Sequence, residues 1–438
     1  MTTAQQNKEP ATQQTASGFP ELSNIKTNLV FNDREIELLR RLANTVAAIA
    51  ARPEMGEKAK LWTAHNDLMT DTPTVFVDPE NGWNEIISTS HLLCTDPLAR
   101  VWEMSLRKQI FWADQAKDDK VIEATFEVPY SYTDTGWGLD PLRIGGENNG
   151  SYIVKPVIED YEDDFERVHY PQYIIDKEQS DRVLALANDV FDGILSVTQK
   201  GIWWWSLGMT KDYIALRGFE NFLMDMIIAP DWVHKMMNML CEGKLTMLDQ
   251  LEADGLLPDN TGATYVGSGG FGYTTQLPGP DFNPKKVRTM DMWGFSESQE
   301  TVSCSSEMYA EFIYPYEKRL LERFGLNCYG CCEGYDNRWH IIKQLPRLRR
   351  ISVSPWADWN TIKQNLSKEY IASLKLSPTP LSTAIMEEDT VRADAKKAVQ
   401  LSKDCVAEYI MKDNHTLGDN PNNIIRWVQI MREEIDKS

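Results

Sequence analysis

Hydrophobic residues along the chain occur partly at helical spacing and partly in short apolar runs. The first helix is predicted to begin at Asn32 and to end before Pro53, because Asn32 followed three residues later by Glu35 is typical of a helix start. Its apolar positions share one face and are Ile36, Leu39, Leu42, Val46 and Ile49. Further helices are predicted for residues 96–118, 181–197, 210–227 and 230–251. Residues 121–128 and 201–205 are predicted as strands, and residues 61–83 as a strand-and-loop segment.

From about residue 195 onward, strand and helix patterns alternate. Strands are predicted for residues 325–330, 350–354, 370–376 and 406–411. Helices are predicted for residues 305–324, 338–345, 362–366, 390–403 and 423–435. These spacings suit parallel crossovers, and no dinucleotide-binding fingerprint follows any predicted strand. We therefore predict an α/β fold, a (β/α)8 TIM barrel with an N-terminal cap of helices and strands.

The predicted domain organisation has three parts. Residues 1–20 are expected to form a disordered leader, residues 21–150 the cap region and residues 151–438 the barrel. The cap and the barrel are expected to form one structural unit. In a barrel of this kind the chemistry lies on the loops that follow the C-terminal ends of the strands.

Charge and composition exclude several classes of function. The 438 residues carry a formal charge of -20, and the best basic stretch, residues 347–350, is short, so nucleic-acid binding is not expected. No window approaches the roughly 18 to 20 apolar residues that a membrane span needs. The first 18 residues contain neither a secretory signal nor an Arg-rich transit peptide, which favours a cytoplasmic protein. The odd number of cysteines, seven, indicates reduced thiols rather than a disulfide scaffold.

Three of these cysteines are clustered. Cys328, Cys331 and Cys332 lie within five residues, and Glu333 follows directly. With His415 from the loop after the last predicted strand, they could form a thiolate, imidazole and carboxylate metal site with one open coordination position. The alternative is that the cysteines are small buried hydrophobic residues and that His415 caps the final helix.

Three segments resemble a known superfamily. Residues 216–225, residues 307–317 and the closing pattern from Tyr409 through His415 and Pro421 to Arg432 are similar to the uroporphyrinogen decarboxylase superfamily. The resemblance covers roughly residues 180–438 and implies a (β/α)8 barrel. The Arg-rich start of the true decarboxylases, a Met-Arg-Gln-Ala-Gly-Arg run, has no counterpart in this sequence. The chain looks more like the branch of corrinoid-linked methyltransferases.

The resemblance also implies a zinc site. Members of that branch bind zinc through a His-x-Cys-Gly segment after one strand and a further Cys near the C-terminus. In this sequence the first segment is replaced by Tyr329-Gly330-Cys331-Cys332-Glu333, and His415 takes the place of the late Cys. The expected zinc ligands are Cys331, Cys332, Glu333 and His415. Which cysteines bind is left open, with Cys328 ranked below the other two.

The function implied by the resemblance is zinc-assisted O-demethylation. A small methoxylated, aromatic substrate would give its methyl group to a corrinoid carried by a partner protein, and zinc would stabilise the leaving oxygen. Two alternatives remain: methyl transfer from methyl-corrinoid to a thiol such as coenzyme M, and metal-free decarboxylation, which would need cationic groups in the barrel to hold carboxylates. A homodimer is left open.

Further residues are assigned to catalysis or to substrate binding. Glu297, Glu333 and His415 are the expected catalytic groups, with Glu297 as a general acid or base. Lys375 ends an apolar strand and either projects into the barrel or snorkels to the surface. The expected substrate-binding residues are Trp203, Trp205, Tyr273, Trp293 and His65. For each of those tryptophans a core position is more common than a ligand contact, and for His65 an ordinary turn is the more common setting.

Overall fold

A parallel sheet of six strands organises the molecule, in the order β1-β12-β11-β10-β9-β8. The computed structural model describes residues 25, 27–145, 152–203, 206–334 and 336–438, so the predicted leader lies outside the described residues. The strands are β1 (Thr74–Val77), β2 (Thr125–Pro129), β3 (Tyr132–Asp134), β4 (Leu142–Gly145), β5 (Tyr152–Lys155), β6 (Tyr173–Ile175), β7 (Ser196–Lys200), β8 (Trp293–Ser296), β9 (Leu326–Tyr329), β10 (Leu348–Val353), β11 (Ile371–Lys375) and β12 (Val406–Met411).

Helices connect these strands and cover the sheet. They are α1 (Asp33–Ala50), α2 (Pro53–Asn66), α3 (Trp83–Ile86), α4 (Pro97–Phe111), α5 (Tyr161–Asp164), α6 (Lys177–Phe191), α7 (Thr210–Arg217), α8 (Phe219–Ile228), α9 (Pro230–Asp254), α10 (Ser306–Phe312), α11 (Tyr314–Leu321), α12 (Trp339–Ile342), α13 (Trp359–Leu366), α14 (Glu388–Ser402) and α15 (Asn422–Ile435). The arrangement confirms an α/β fold. None of the described helices combines the length and the hydropathy needed to cross a membrane.

Two further parallel strands, β2 and β7, pair with each other. Single backbone hydrogen bonds tie the segments beside this pair to the main sheet: the Asp119 amide donates to the Val75 carbonyl at 2.8 Å, and the Leu207 amide donates to the Phe295 carbonyl at 2.9 Å. Within the described ranges no ladder joins β1 to β2 or β7 to β8. The small strand pairs β3 with β6 and β4 with β5 are antiparallel.

Two aspartate side chains accept hydrogen bonds from the β1 amides that face away from β12. The Asp119 carboxylate accepts a hydrogen bond from the Val75 amide at 2.7 Å, and the Asp118 carboxylate accepts one from the Val77 amide at 3.0 Å. Buried backbone amides need such partners. Burial raises the pKa of Asp118 to about 6.

The predicted boundary at residue 150 does not follow the sheet. β1 lies in the segment assigned to the cap, yet it pairs in parallel with β12, with Thr74 opposite Glu408 and Val77 opposite Met411. β2 also lies before residue 150 and pairs with β7. The first third of the chain therefore contributes strands as well as covering helices.

The first helix is confirmed, and its cap explains why. The Asn32 side chain accepts a hydrogen bond from the Glu35 amide at 3.0 Å, and the Glu35 carboxylate accepts one from the Asn32 amide at 3.1 Å. This reciprocal capping box fixes the helix start. Leu39, Ala43 and Val46 on its inner face are buried.

Two local predictions were wrong. Pro53, expected only to end a helix, occupies the first turn of α2, where proline fits, so residues 61–66 are helical rather than a loop. Of the strand predicted at 201–205, residues 201–203 follow β7 without joining a strand, and residues 204–205 lie outside the described residues. Gly201 approaches the backbone of Leu256 to Pro258 so closely that a Cβ atom there would lie 2.4 Å from the Pro258 nitrogen. Ile202 donates to the Leu256 carbonyl at 2.7 Å instead of joining a ladder.

A glycine-rich segment between α9 and β8 packs against the inner side chains of the sheet. Residues 266–272 are all buried. A Cβ atom on Gly267 would lie 2.8 Å from the Cys328 Cβ, and one on Gly270 would lie 2.7 Å from an Arg350 guanidinium nitrogen. Glycine is needed here because only bare backbone fits against these side chains.

Candidate functional site

Polar side chains from four parallel strands meet at one edge of the sheet. Glu297 follows β8 directly, Cys331 and Cys332 follow β9, Lys375 is the last residue of β11, and Lys412 follows β12 directly. Because the carboxyl ends of parallel strands share an edge, these residues lie on the same side of the fold. We call this group of five the strand-end site.

A pair of thiols lies at the end of β9. Gly330 adopts a positive φ of 86° and ends the strand, and its amide donates to the Ser296 carbonyl at 3.0 Å. The Sγ atoms of Cys331 and Cys332 are 3.6 Å apart, and the Ser268 hydroxyl donates to the Cys331 sulfur at 3.4 Å. Cys331 is buried and Cys332 is exposed.

Their environments separate the two thiols chemically. The hydrogen bond with Cys332, together with burial, raises the pKa of Cys331. The same sulfur–sulfur hydrogen bond lowers the pKa of Cys332. The accessible sulfur is therefore the one that ionises first, and a thiolate is the reactive form of cysteine.

Glu333 holds the turn that carries the thiols. One carboxylate oxygen accepts from the Cys331 amide at 2.8 Å and the other accepts from the Ser298 amide at 2.9 Å. These bonds join the loop after β9 to the loop after β8. Burial raises the pKa of Glu333 even though both hydrogen bonds favour its ionised form.

Glu297 is a buried carboxyl group in the same region. It accepts hydrogen bonds from the Gln299 amide at 3.1 Å and from the Ser206 hydroxyl at 3.2 Å. Burial, with added repulsion from Glu300 and Glu333, raises its pKa well above the usual range. A raised pKa favours the protonated form of a carboxyl group, which can donate its proton.

A buried network behind the strand-end site connects to Glu333. The Tyr329 and Tyr309 hydroxyls donate to one oxygen of Glu317 at 2.9 and 3.1 Å, and the Ser296 hydroxyl donates to the other at 3.0 Å. The Ser298 hydroxyl lies 2.9 Å from that of Tyr329. Burial raises the pKa of Glu317 to about 7.

Two lysines complete the strand-end site. Lys412 lies 3.5 Å from Glu80 and 3.8 Å from Asp413, and its pKa is raised, because Tyr265, Cys331 and these two carboxylates outweigh the effect of burial. Lys375 donates to the Ser373 hydroxyl at 2.6 Å and to the Ser373 carbonyl at 3.1 Å. Burial lowers the pKa of Lys375 to about 8.

Deeper in the sheet lies a buried ion pair. Arg350 in β10 contacts Glu408 in β12 at 3.1 Å, and it also donates to the Asn66 side-chain oxygen at 2.6 Å. Although burial opposes ionisation, Arg350 lowers the pKa of Glu408 to about 2. His65 lies 3.3 Å from the same carboxylate, without the alignment of a hydrogen bond.

The predicted zinc ligands are only partly brought together. Cys331, Cys332 and Glu333 share one turn, whereas His415 is exposed and makes no hydrogen bond or ion pair with any described residue. Among the described residues, no group of three or more His, Cys, Asp and Glu side chains could hold a metal ion. The zinc set stays a prediction that these side-chain positions do not support.

The predicted substrate-binding residues are dispersed. Trp293 is buried, donates to the Gly272 carbonyl at 2.9 Å and packs under the Arg350 guanidinium, 5.1 Å from its ring centre. The Tyr273 hydroxyl donates to Glu123 at 2.7 Å. Trp203 is half-buried, with its ring 6.2 Å from that of Phe324.

Trp205 lies outside the described residues, and His65 lies beside Glu408 in the first half of β12. None of the four described substrate-binding candidates belongs to the strand-end site.

Sequence reasoning missed Lys412, Ser268 and the Arg350–Glu408 pair. A signal for Lys412 was available: Glu408, Ile410 and Lys412 alternate along β12 and its continuation, so one inward-facing carboxylate predicts an inward-facing lysine four residues later. No comparable signal marks Ser268, because its position depends on how the glycine-rich segment enters the fold.

Comparisons with known proteins find similarity among solved structures only. No family model matches this chain, and no curated protein matches it. Among solved structures, a methyltransferase from Methanosarcina mazei is similar, with 11% identity and a TM-score of 0.43 over 76% of this chain and 86% of that chain. We therefore base the functional proposal on the side chains of the strand-end site.

Proposed function

We propose that this protein is a methyltransferase that removes the methyl group of a small methoxylated, aromatic compound and passes it to a corrinoid on a partner protein. The observation that carries the proposal is the fully buried carboxyl group of Glu297 at the strand-end site, where burial, Glu300, Glu333 and Cys331 all raise its pKa. The proposal also draws on the resemblance of residues 180–438 to corrinoid-linked methyltransferases. We further propose that the six-stranded sheet and the β2–β7 pair together form one eight-stranded barrel.

The difficult part of ether demethylation is the departure of an alkoxide or phenoxide. Glu297 would donate its proton to this oxygen as the carbon–oxygen bond breaks, so that a neutral alcohol or phenol leaves. Burial, Glu300 and Glu333 all oppose the ionisation of Glu297 and so favour its protonated form. The corrinoid, when bound, would supply the nucleophile that takes the methyl group.

Glu333 would act as a positioning residue in this scheme. Its two hydrogen bonds tie the Cys331 turn to the loop of Ser298, which directly follows Glu297. The thiols and the acid would therefore keep a fixed spacing while substrate binds. A zinc ion remains part of the hypothesis only through the resemblance, and no step is assigned to it.

A decarboxylase is the second candidate, favoured by one specific observation. Decarboxylation of an aromatic or cyclic acid needs cationic groups that hold carboxylates inside the fold. Lys375 and Lys412 are such groups, both more than nine-tenths buried at the strand-end site.

Incubation with a reduced corrinoid protein and a panel of methoxyarenes tests the proposal, with the methyl-cobalt absorbance as readout. We expect methyl transfer in the wild type, and in Glu297→Gln a rate lower by about a hundredfold or more, because general acid catalysis contributes this much. Glu307→Gln, at an exposed position of α10, is the matched control and should be unaffected.

Three results would contradict the proposal. Release of carbon dioxide from an aromatic acid without methyl transfer would favour the decarboxylase. Transfer only from methyl-corrinoid to a thiol would reverse the direction. Full activity in Glu297→Gln would remove the assigned acid.

A further inference from the structure

Lys375 differs from the other buried cations in this half of the sheet. Arg350 is paired with Glu408, and Lys412 with Glu80 and Asp413. Lys375 is 4% exposed, and its only hydrogen bonds within the described part of the chain go to the hydroxyl and carbonyl oxygens of Ser373. It forms no ion pair with any described residue.

A buried ammonium group with neutral partners only is costly. Burial of a charge requires hydrogen bonds and a counter-charge to offset the lost hydration. The carboxylate that raises the pKa of Lys375, that of Glu408, already pairs with Arg350, and Lys412 opposes ionisation of Lys375 by repulsion. Lys375 has three donor protons, of which Ser373 uses two.

The backbone of the glycine-rich segment lies directly beside Lys375. Gly269 presents only backbone beside it, and a Cβ atom there would lie 3.2 Å from the Lys375 Nζ atom. The preceding residue, Ser268, donates a hydrogen bond to the Cys331 sulfur at 3.4 Å. Two successive residues of the glycine-rich segment therefore lie beside the Lys375 ammonium group and the Cys331 thiol.

We propose that Lys375, supported by Lys412, forms an anion subsite that binds the carboxylate or phenolate oxygen of the substrate. The substrate class of the strand-end site is then an aromatic acid or phenolate that carries a methoxy group. The identity of the substrate rests on the proposed function, whereas the binding of the anionic group does not depend on methyl transfer. The bound anion would accept a charge-assisted hydrogen bond from Lys375 and would supply the negative charge that no described residue provides.

Calorimetric titration of the full-length wild type tests the subsite with three ligands. They are 4-methoxybenzoate, a methoxylated nitrophenol that is ionised at pH 8, and the neutral 4-methoxybenzyl alcohol. We expect at least one anion to bind about tenfold or more tightly than the alcohol, as a hydrogen bond to a charged group provides. The carboxylate and phenolate titrations show which source of the oxygen is preferred.

Two variants then locate the effect. Lys375→Met should remove the preference for the anion while leaving the affinity for the alcohol, and Lys375→Arg should restore part of the preference. Lys368→Met is the control, since Lys368 is exposed and paired with Asp71 at 2.7 Å. Its preference should equal that of the wild type.

The outcomes are distinguishable from those of the proposed function. Equal affinity of the wild type for anions and alcohol overturns the subsite without any variant having to fold. Trapping of an aldehyde on Lys375 by borohydride also overturns it, because the lysine would then act as a nucleophile. Tight anion binding without methyl transfer supports the subsite and contradicts the methyltransferase.

Discussion

The sulfur atoms of Cys331 and Cys332 lie 3.6 Å apart, yet one thiol is buried and the other is exposed. The two adjacent cysteines therefore have different roles. Cys332 offers a sulfur to an incoming molecule, and Cys331 holds it in place by a hydrogen bond. This division leads to the first prediction.

Cys332 should be the most reactive cysteine of the protein. Its pKa is lowered by the hydrogen bond with Cys331, whereas burial raises the pKa of Cys94 to about 12. Iodoacetamide at pH 7.5 should modify Cys332 about tenfold or more faster than Cys94, as followed by peptide mass spectrometry. In Cys331→Ala the rate at Cys332 should fall. Equal rates at both positions would contradict the assignment.

His415 should be dispensable for any bound metal. Its side chain is exposed and bonded to no described residue, so we expect His415→Ala to retain the zinc content per chain of the wild type. Cys332→Ser is the comparison, because a metal held by the thiols would be lost there. Loss of zinc in both variants would show that the imidazole reaches the thiols and would restore the predicted set.

The Arg350–Glu408 pair should be important for stability. Both side chains are almost fully buried, so Glu408→Gln leaves an unpaired guanidinium group and should cost about 3–5 kcal/mol in the free energy of unfolding, measured with urea. The exposed pair of Lys177 and Asp181 is the control, and Asp181→Asn should change stability little. A small effect of Glu408→Gln would mean that water or His65 compensates.

Glu317 should make stability depend on pH. Burial raises the pKa of Glu317 from 4.5 to about 7, and the groups that face it are the hydroxyls of Ser296, Tyr309 and Tyr329 and, further away, Glu333. The folded protein therefore binds the proton more tightly than the unfolded chain. This contribution is complete below pH 4.5, is lost as pH rises towards about 7, and amounts to ~3 kcal/mol.

Urea unfolding between pH 4 and 8 measures the effect. Glu317→Gln should flatten the fall of stability relative to the wild type, and Glu166→Gln, at an exposed position, should keep the wild-type slope. Identical slopes for wild type and Glu317→Gln would show that Glu317 is ionised in the folded state.

Gly269 should tolerate no side chain. A Cβ atom there would lie 2.8 Å from the Ile410 Cγ1 atom and 3.1 Å from the Ser373 hydroxyl. Gly269→Ala should therefore destabilise the fold by about 1–3 kcal/mol in thermal or urea unfolding. Gly56→Ala is the matched control, because Gly56 lies within helix α2 with nothing within 4 Å, and the change should be neutral or stabilising. Equal stability of both variants would contradict the buried position of the loop.

The sequence predicted the second half of the fold better than the first. The strand expected at residues 406–411 coincides with β12, and the helix expected at 390–403 lies within two residues of α14. Short apolar runs between amphipathic segments are a local signal, and it is strong there. The helix at residues 61–66 is not predictable in this way, because Pro53 follows one helix and begins the next. A proline in the sequence signals the end of a helix as readily as its start.

The strand-end site was only partly predictable. The three cysteines and Glu297 were visible because of their types and clustering, and Lys375 was recognised as ambiguous. The distance between Cys332 and His415 depends on the paths of two loops, which no periodicity encodes. The burial of Ser268 depends in the same way on a glycine-rich segment that turns inward.

The pairing of β1 with β12 has a consequence for synthesis. Residue 74 leaves the ribosome long before residue 408, its neighbour in the sheet. During that interval β1, which contains Val75 and Phe76, lacks its partner strand β12. Unpaired strand edges can bind the strands of other chains. A nascent or truncated chain that ends before Val406 would thus be prone to aggregation, and chaperones would be needed to keep it from aggregating in a cell.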